Sequence, residues 1–217
     1  MTVQQDACLS SDVVRLLTEV AQRRHLVKGE ELVPPKTQPE AMFGIISGAV
    51  RVSVTGKSGR RLLAAQMGPG FWFGEVPLLD NGVWVYGAHA AEDSEVAVLS
   101  SAKLWTLIDK HPFVLLALTR LACSRYRKTL DWIEQASLKP LTARLATCLV
   151  NPQFLGCLEV NDTIAISQED LAAFLGVSRQ SVNRQLKIWE KQGLVTLEYG
   201  AVSLQDRSAL CSFADAW

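Results

Sequence analysis

The chain has 217 residues, with 22 basic and 22 acidic side chains and a formal net charge of zero. Its hydrophobic content of 48% excludes a disordered protein, and its length allows one large or two small domains. Because the net charge is zero, any affinity for nucleic acid must come from a local basic patch.

Neither a membrane span nor a signal peptide is predicted. There is no run of about 18 or more apolar residues, the length that a membrane-spanning helix needs. The N-terminal residues MTVQQDACLSSD lack the basic and then apolar pattern of a secretory signal. We therefore expect a cytoplasmic protein with no membrane partner.

Five cysteines and three histidines are scattered along the chain without the spacing of metal ligands, and no two cysteines form a CxxC pair. They are Cys8, Cys123, Cys148, Cys157 and Cys211, and His25, His89 and His111. In a reducing compartment such cysteines are expected to be free thiols. We expect no metal ion and no iron–sulfur cluster.

The first half of the chain is predicted to contain one short helix and many short strands. Apolar residues at helical spacing predict the helix over residues 10–25. From Leu26 to Ser100, short β-rich runs alternate with glycine and polar turns. The predicted strands are 42–48, 50–55, 61–67, 83–91 and 95–99. Strands at this spacing, with no long helix between them, predict a β-barrel or β-roll.

Within this region, residues 71–79 combine aromatic side chains with a glycine and a glutamate. The pair Gly74-Glu75 is predicted to begin a short helix, whose free backbone N–H groups can hold an anion. Glu75 can accept a hydrogen bond from a ligand hydroxyl. Packing of the aromatic side chains in the core is the alternative interpretation.

A long helix is predicted over about residues 111–137. Apolar residues repeat along it in steps of three and four, which is typical of a coiled-coil stripe. The stripe consists of Leu115, Leu118, Ala122, Tyr126, Thr129, Ile133 and Ala136. We expect this stripe to form the two-fold seam of a homodimer, and packing against its own domain is the alternative.

Lys139-Pro140 breaks the long helix, because the residue before a proline is disfavoured in helical conformation and the proline has no N–H to donate. This break predicts a sensor domain with its dimerisation helix over residues 1–138 and a second domain over residues 139–217.

Residues 167–192 have the pattern of two short helices joined by a tight turn. Ser167 and Ser178 are predicted N-caps, and Gly176 suits the left-handed turn between the helices. On the second helix, residues 178–191, apolar residues share one side and hydrogen-bond donors share the other. A hairpin over residues 193–204 is predicted to follow as a wing. This helix-turn-helix pattern predicts double-stranded DNA as the partner, and a solvated helix pair is the alternative. The candidate DNA-binding residues are Ser178, Arg179, Gln180, Asn183, Arg184 and Lys187.

The order of these parts resembles the superfamily of the cyclic-AMP receptor protein and the fumarate–nitrate regulator, abbreviated CRP/FNR. The resemblance covers nearly the whole chain and is most specific at Phe73-Gly74-Glu75 and over residues 166–194. It implies an α+β fold with an N-terminal β-roll, a long dimerisation helix and a C-terminal winged helix-turn-helix. It also implies a homodimeric transcription regulator that contacts RNA polymerase.

The resemblance assigns base-reading roles on the recognition helix. Members of the superfamily read a half-site with an arginine, a glutamate and a second arginine, and the matching residues here are Arg179, Gln180 and Arg184. A glutamate can accept a hydrogen bond from cytosine, whereas the amide of Gln180 suits adenine better. We therefore expect a half-site that differs at one base pair.

The sensor departs further from the superfamily. Cyclic-nucleotide-binding members grip the phosphate with an arginine–serine pair, and Val85-Tyr86 stand at that place here. Other pocket positions match at Gly74, Glu75, Arg125 and Thr129, whereas Leu130 replaces a serine. Because valine cannot neutralise a phosphate, we expect a small-molecule effector other than cyclic AMP, or none.

Two other functions stay open from the sequence. One is a small-molecule-sensing module that acts through protein contacts, and the other is a regulator controlled by an ordinary cyclic nucleotide. An enzyme has little support, because the chain shows no nucleophile–base pair and no phosphate-loop motif. The N-terminal cysteine cluster of the iron–sulfur members is not matched by Cys8 alone, and neither His89 nor His111 supports a haem.

Overall fold

The computed structural model of the protein describes residues 9–56, 61–152 and 159–216. The chain divides into two compact units, one drawn from Met1–Arg51 and Met67–Asp131 and the other from Val52–Gln66 and Trp132–Trp217. Helix α4, Phe113–Leu138, runs without a break from the first unit into the second. The functional division into residues 1–138 and 139–217 stays a prediction.

Short strands and short helices precede α4. In chain order they are α1 Ser11–Val20, β1 Gln22–Leu26, β2 Glu31–Val33, β3 Ala41–Ser47, β4 Val50–Thr55, β5 Arg61–Met67, β6 Trp72–Phe73, α2 Glu75–Asp80, β7 Gly87–Ala90, β8 Ser94–Ser100 and α3 Ser101–Lys110. The strands form two four-stranded sheets, with the orders β1-β8-β3-β6 and β2-β7-β4-β5. This arrangement confirms the predicted β-roll.

Two predicted elements in this region are too long. The helix expected over residues 10–25 ends at Val20, because Ala21 is extended and the next residues pair with β8 from Gln22↔Val98 to Leu26↔Ser94. Only Leu26 of β1 is buried, so the strand carries no alternating hydrophobic signal. The strand expected over residues 83–91 is confined to β7.

The core of the first unit joins α1, β3, β8, α3 and the start of α4. Its fully buried side chains include Leu17, Met42, Leu99, Leu104 and Leu118. Leu118 was expected on the dimer seam, and that part of the prediction is wrong, since the side chain packs in the core of its own unit. Other members of the stripe, such as Tyr126 and Ile133, are exposed.

After α4, the described residues form four helices and four short strands. They are α5 Leu141–Val150, β9 Glu159–Val160, β10 Thr163–Ile164, α6 Gln168–Leu175, α7 Arg179–Lys191, β11 Val195–Glu198, β12 Ala201–Leu204 and α8 Arg207–Asp215. The strands form one sheet with the order β11-β12-β10-β9. The winged helix-turn-helix is therefore confirmed, and with it the α+β fold class.

The core of the second unit contains residues from α5, α6, α7, α8 and the small sheet. Its largest fully buried side chain is Trp189, surrounded by leucines such as Leu145, Leu171 and Leu186. The final helix α8 was not predicted. Asp206 caps it by accepting a hydrogen bond from the Ala209 N–H at 2.9 Å, and Leu210 anchors it in the core.

Candidate DNA-binding surface and sensor pocket

The turn between α6 and α7 is formed by two serine N-caps and a left-handed glycine. Ser167 Oγ accepts a hydrogen bond from the Asp170 N–H at 3.0 Å, which caps α6. Gly176 ends α6 in the left-handed conformation, with φ of 68°, where a side chain would be strained. Ser178 Oγ then accepts from the Ser181 N–H at 3.1 Å, which caps α7. The predicted caps and turn are thus all present, and they fix where α6 ends and α7 begins.

Helix α7 has one buried face and one exposed face. Val182, Leu186 and Trp189 are at most 1% exposed and fix the helix in the core of the second unit. The predicted site residues Arg179, Gln180, Arg184 and Lys187 are exposed. The first turn of α7 contains no acidic residue. The exposed face therefore offers hydrogen-bond donors and positive charge, which suit phosphates and the edges of bases.

Two of the predicted site residues form hydrogen bonds with other side chains of the protein. Asn183 is half-buried, and its Nδ2 donates to Gln168 Oε1 at 2.7 Å, which ties α7 to the first turn of α6. Lys187 Nζ lies 2.8 Å from Glu190 Oε2, and the other carboxylate oxygen accepts from the Leu197 N–H at 3.3 Å. These two hydrogen bonds hold the pKa of Glu190 below its ordinary value, the lysine having the larger effect.

Arg179, Gln180 and Arg184 differ from that pair of residues. Within the ranges that the structure describes, none of the three makes a hydrogen bond or an ion pair with another side chain. Sequence patterns gave no signal for Gln168 or Glu190, because their roles depend on which helix and strand lie beside α7. The wing beyond Glu190 ends in a turn at Tyr199, which is fully exposed.

In the first unit, the candidate effector residues surround the start of α2. Gly74 precedes the helix with φ of 98°. Glu75 is 1% exposed, and one of its carboxylate oxygens lies 2.6 Å from Nη1 of Arg125. Nη2 of Arg125 donates to the Trp72 carbonyl at 2.5 Å, and the guanidinium lies 4.5 Å from the centre of the Phe71 ring. The structure thus brings Gly74, Glu75 and Arg125 together.

The remaining candidate pocket residues are arranged differently. Val85 is 71% exposed, and Thr129 is exposed with its hydroxyl donating to the Arg125 carbonyl at 3.0 Å within α4. Tyr86 is half-buried, and its ring centre lies 5.6 Å from that of Trp84. Burial, and then the negative charge of Glu75, raise the pKa of Tyr86 to about 12. Its hydroxyl therefore stays protonated at physiological pH.

Trp84 was not among the predicted site residues. Its side chain is 3% exposed and packs against Gly74 so closely that a Cβ at that glycine would lie 2.7 Å from the ring. Its ring centre also lies 6.1 Å from Phe43 and 6.3 Å from Phe73. A single tryptophan in an irregular stretch gives no periodic signal, so sequence patterns could not identify it as part of the pocket.

The described residues contain no cluster of three or more histidine, cysteine, aspartate or glutamate side chains that could bind a metal ion. Cys123 is exposed, Cys211 is half-buried and Cys148 is buried, and all three are free thiols. Burial raises the pKa of Cys148 to about 12, so this thiol stays protonated. Cys8 and Cys157 lie outside the described residues. Among the described helices, none has the length and apolar character needed to cross a membrane.

Two known domain families match separate parts of the chain. The family described as the cyclic nucleotide-binding domain matches residues 23–111, and the Crp-like helix-turn-helix domain matches residues 143–213. The cyclic AMP receptor protein of Thermus thermophilus is 31% identical over 204 residues, which are 93% of this chain and 92% of that protein.

Two solved structures share the fold. FixK2 from Bradyrhizobium japonicum has a TM-score of 0.76 at 24% identity and covers 91% of this chain and 99% of its own. The c-di-GMP responsive global regulator CLP of Xanthomonas campestris has a TM-score of 0.78 at 20% identity, covering 90% of this chain and 99% of its own.

Proposed function

Because the chain belongs to the CRP/FNR superfamily of DNA-binding transcription regulators, we propose that it acts as a homodimer that reads a two-fold symmetric DNA site through residues 178–191. The observation that carries the proposal is the division of α7 into two faces. The apolar side chains Val182, Leu186 and Trp189 are buried, whereas most of the polar donors are exposed.

We assign base reading to three side chains at the start and in the middle of α7. Arg179 and Arg184 are exposed arginines, and an arginine can donate two hydrogen bonds to one guanine in the major groove. Gln180 lies beside Arg179 and can both donate to and accept from adenine. We assign Ser178 and Lys187, which are both exposed, to contacts with phosphates. Asn183 has its amide engaged with Gln168, so its proposed part is to orient α7 as well as to contact DNA.

The homodimer is supported by apolar side chains that α4 leaves exposed. Tyr126 is 64% exposed, and Leu130 and Ile133 are each nearly half exposed. Exposed apolar side chains grouped on one helix are typical of a protein interface. A two-fold axis along α4 would pair two copies of α7, which must lie about 34 Å apart to enter successive major grooves on one side of the DNA.

Residues 1–138 then serve as the sensor with its dimerisation helix, and residues 139–217 as the DNA-binding domain. Contact with RNA polymerase and a cytoplasmic location follow from a role in transcription. The effector is a small molecule other than cyclic AMP, or there is none, since Val85 brings no positive charge to the place of the phosphate. Several curated relatives are named for cyclic AMP, whereas one structural neighbour is named for c-di-GMP, so proteins similar to this chain differ in the effector they are named for.

The test begins with selection of binding sites from a randomised duplex pool by the full chain. We expect recovered sites with two-fold symmetry and half-sites about one DNA turn apart. Affinity for the selected duplex should fall steeply with salt, on the order of a thousandfold between low and physiological salt if about six or more phosphates are contacted.

Arg184→Ala should weaken this binding and relax the choice of base, whereas Arg15→Ala removes an equal charge from an exposed ion pair on α1 and should leave binding unchanged. Failure to enrich any duplex, or affinity that does not respond to salt, would contradict DNA reading. That outcome would favour a module that acts through protein contacts.

A further inference from the structure

Arg125 is held by three different groups around the start of α2. Its guanidinium donates to the buried carboxylate of Glu75 at 2.6 Å and to the Trp72 carbonyl at 2.5 Å, and it lies over the ring of Phe71. A carboxylate that is 1% exposed is costly unless it is paired, so the arginine satisfies a need that already exists in the folded chain. Arg125 is thereby fixed by groups of the protein itself.

The charges at this place are balanced. In the part of the chain that the structure describes, Arg125 is the cationic side chain paired with Glu75, and the two charges cancel. A ligand phosphodiester would add a negative charge, and Val85 supplies nothing to neutralise it. Arg125 is already paired with Glu75, and drawing it to a phosphate would leave the buried Glu75 carboxylate without its partner, which is strongly unfavourable.

The space beside Gly74 is also occupied. The Trp84 ring packs directly on this glycine, and Phe43, Phe73 and Tyr86 surround it with ring centres 5.6 to 6.3 Å away. Rings at such separations are in favourable aromatic contact. Gly74, which directly precedes α2, is therefore bordered by the protein's own aromatic cluster.

We propose that the Glu75–Arg125 ion pair, packed beside Trp84, takes the place of an effector, so that the protein binds DNA without a small molecule. Arg125 lies on α4, which continues as one helix to Leu138. The pair would hold α4 on the roll in the arrangement that an effector must otherwise select from an equilibrium of conformations. This inference rests on the proposed DNA-binding function.

The experiment uses the full-length protein and the duplex obtained by site selection. DNA affinity is measured by fluorescence anisotropy alone and with millimolar cyclic AMP, cyclic GMP or cyclic di-GMP. We expect the three probes to change the dissociation constant by less than about twofold. Calorimetric titration with the same probes, without DNA, should give no binding heat.

Two charge-removing variants test the ion pair itself. Glu75→Gln keeps the shape of the side chain but removes its charge, and we expect DNA affinity to fall by about tenfold or more. Arg127→Gln removes an exposed charge from the same helix and should leave affinity within about twofold of the unaltered chain. Circular dichroism and sedimentation verify that both variants are folded and have the same oligomeric state.

The outcomes separate this inference from the function on which it rests. A tenfold gain in DNA affinity with any probe, a measurable binding heat, or equal affinity of Glu75→Gln and the unaltered chain would overturn the ion pair as a substitute for an effector. A protein that binds no duplex with or without probes would instead contradict the proposed DNA-binding function. If Glu75→Gln does not fold, the titration of the unaltered chain still decides the question.

Discussion

The recognition helix and the sensor pocket use arginine in opposite ways. On α7, the exposed guanidinium groups of Arg179 and Arg184 can donate hydrogen bonds to a partner. In the sensor pocket, by contrast, Arg125 donates its hydrogen bonds to Glu75 and to the Trp72 carbonyl. Both the recognition helix and the sensor pocket contain residues that match functional positions of the superfamily. Residues that match a superfamily site are therefore available to a partner only to the extent that tertiary contacts leave their polar groups unoccupied.

The largest expected effect comes from the pocket. Trp84→Ala should lower the free energy of unfolding by about 3–5 kcal/mol, because it empties the space beside Gly74 and removes a ring that is 3% exposed. Urea unfolding followed by circular dichroism measures the loss. Trp105→Ala is the matched control, because Trp105 is 40% exposed on α3 and its removal should cost much less. Equal losses would show that the aromatic cluster is not a packed part of the roll.

The next effect concerns the exposed face of α7. Arg184→Ala should weaken binding to the selected duplex by about 1–3 kcal/mol and relax specificity at one base pair. Gln180→Glu should move the preference at its base pair from adenine towards cytosine. Competition binding against duplexes altered at single positions measures both changes. A uniform loss over all duplexes would mean that Arg184 contacts phosphate and does not read a base.

Substitution of Asn183 tests whether this residue of α7 stabilises the fold or only contacts DNA. Asn183→Ala removes its hydrogen bond to Gln168 and should lower the free energy of unfolding by about 1 kcal/mol. A double-mutant cycle with Gln168→Ala measures the coupling between the two side chains. Coupling near zero, together with a loss of DNA affinity, would return Asn183 to the set of residues that only contact DNA.

The smallest expected effect is a pH dependence at the end of α7. The folded-state pKa of Glu190 lies below its ordinary value of 4.5, so its contribution to stability is present above that value and is lost as the pH falls through the lowered pKa. The urea concentration at the midpoint of unfolding is expected to decrease as the pH is lowered from about 6 to about 3. In Glu190→Gln this decrease should be smaller than in the unaltered chain. A slope for Glu190→Gln that is identical to that of the unaltered chain would mean that the contacts of Glu190 with Lys187 and Leu197 do not persist in solution.

Local patterns predicted the second unit better than the first. The caps at Ser167 and Ser178, the turn at Gly176 and the two faces of α7 each depend on residues a few positions apart, so spacing alone determined them. The order of roll, long helix and winged helix-turn-helix followed in the same way. The short strand β1 was not predicted, because its edge pairing with β8 needs no alternating side chains.

Tertiary structure alone decided which polar groups remain available for binding. Glu75 and Arg125 are 50 positions apart, and Asn183 lies 15 positions from Gln168, so no local rule relates either pair. Leu118 shows the same limit, because its place in the helical stripe is identical whether the stripe faces a partner or its own core. Periodicity identifies the face of a helix on which a side chain lies, but long-range packing decides what that face meets.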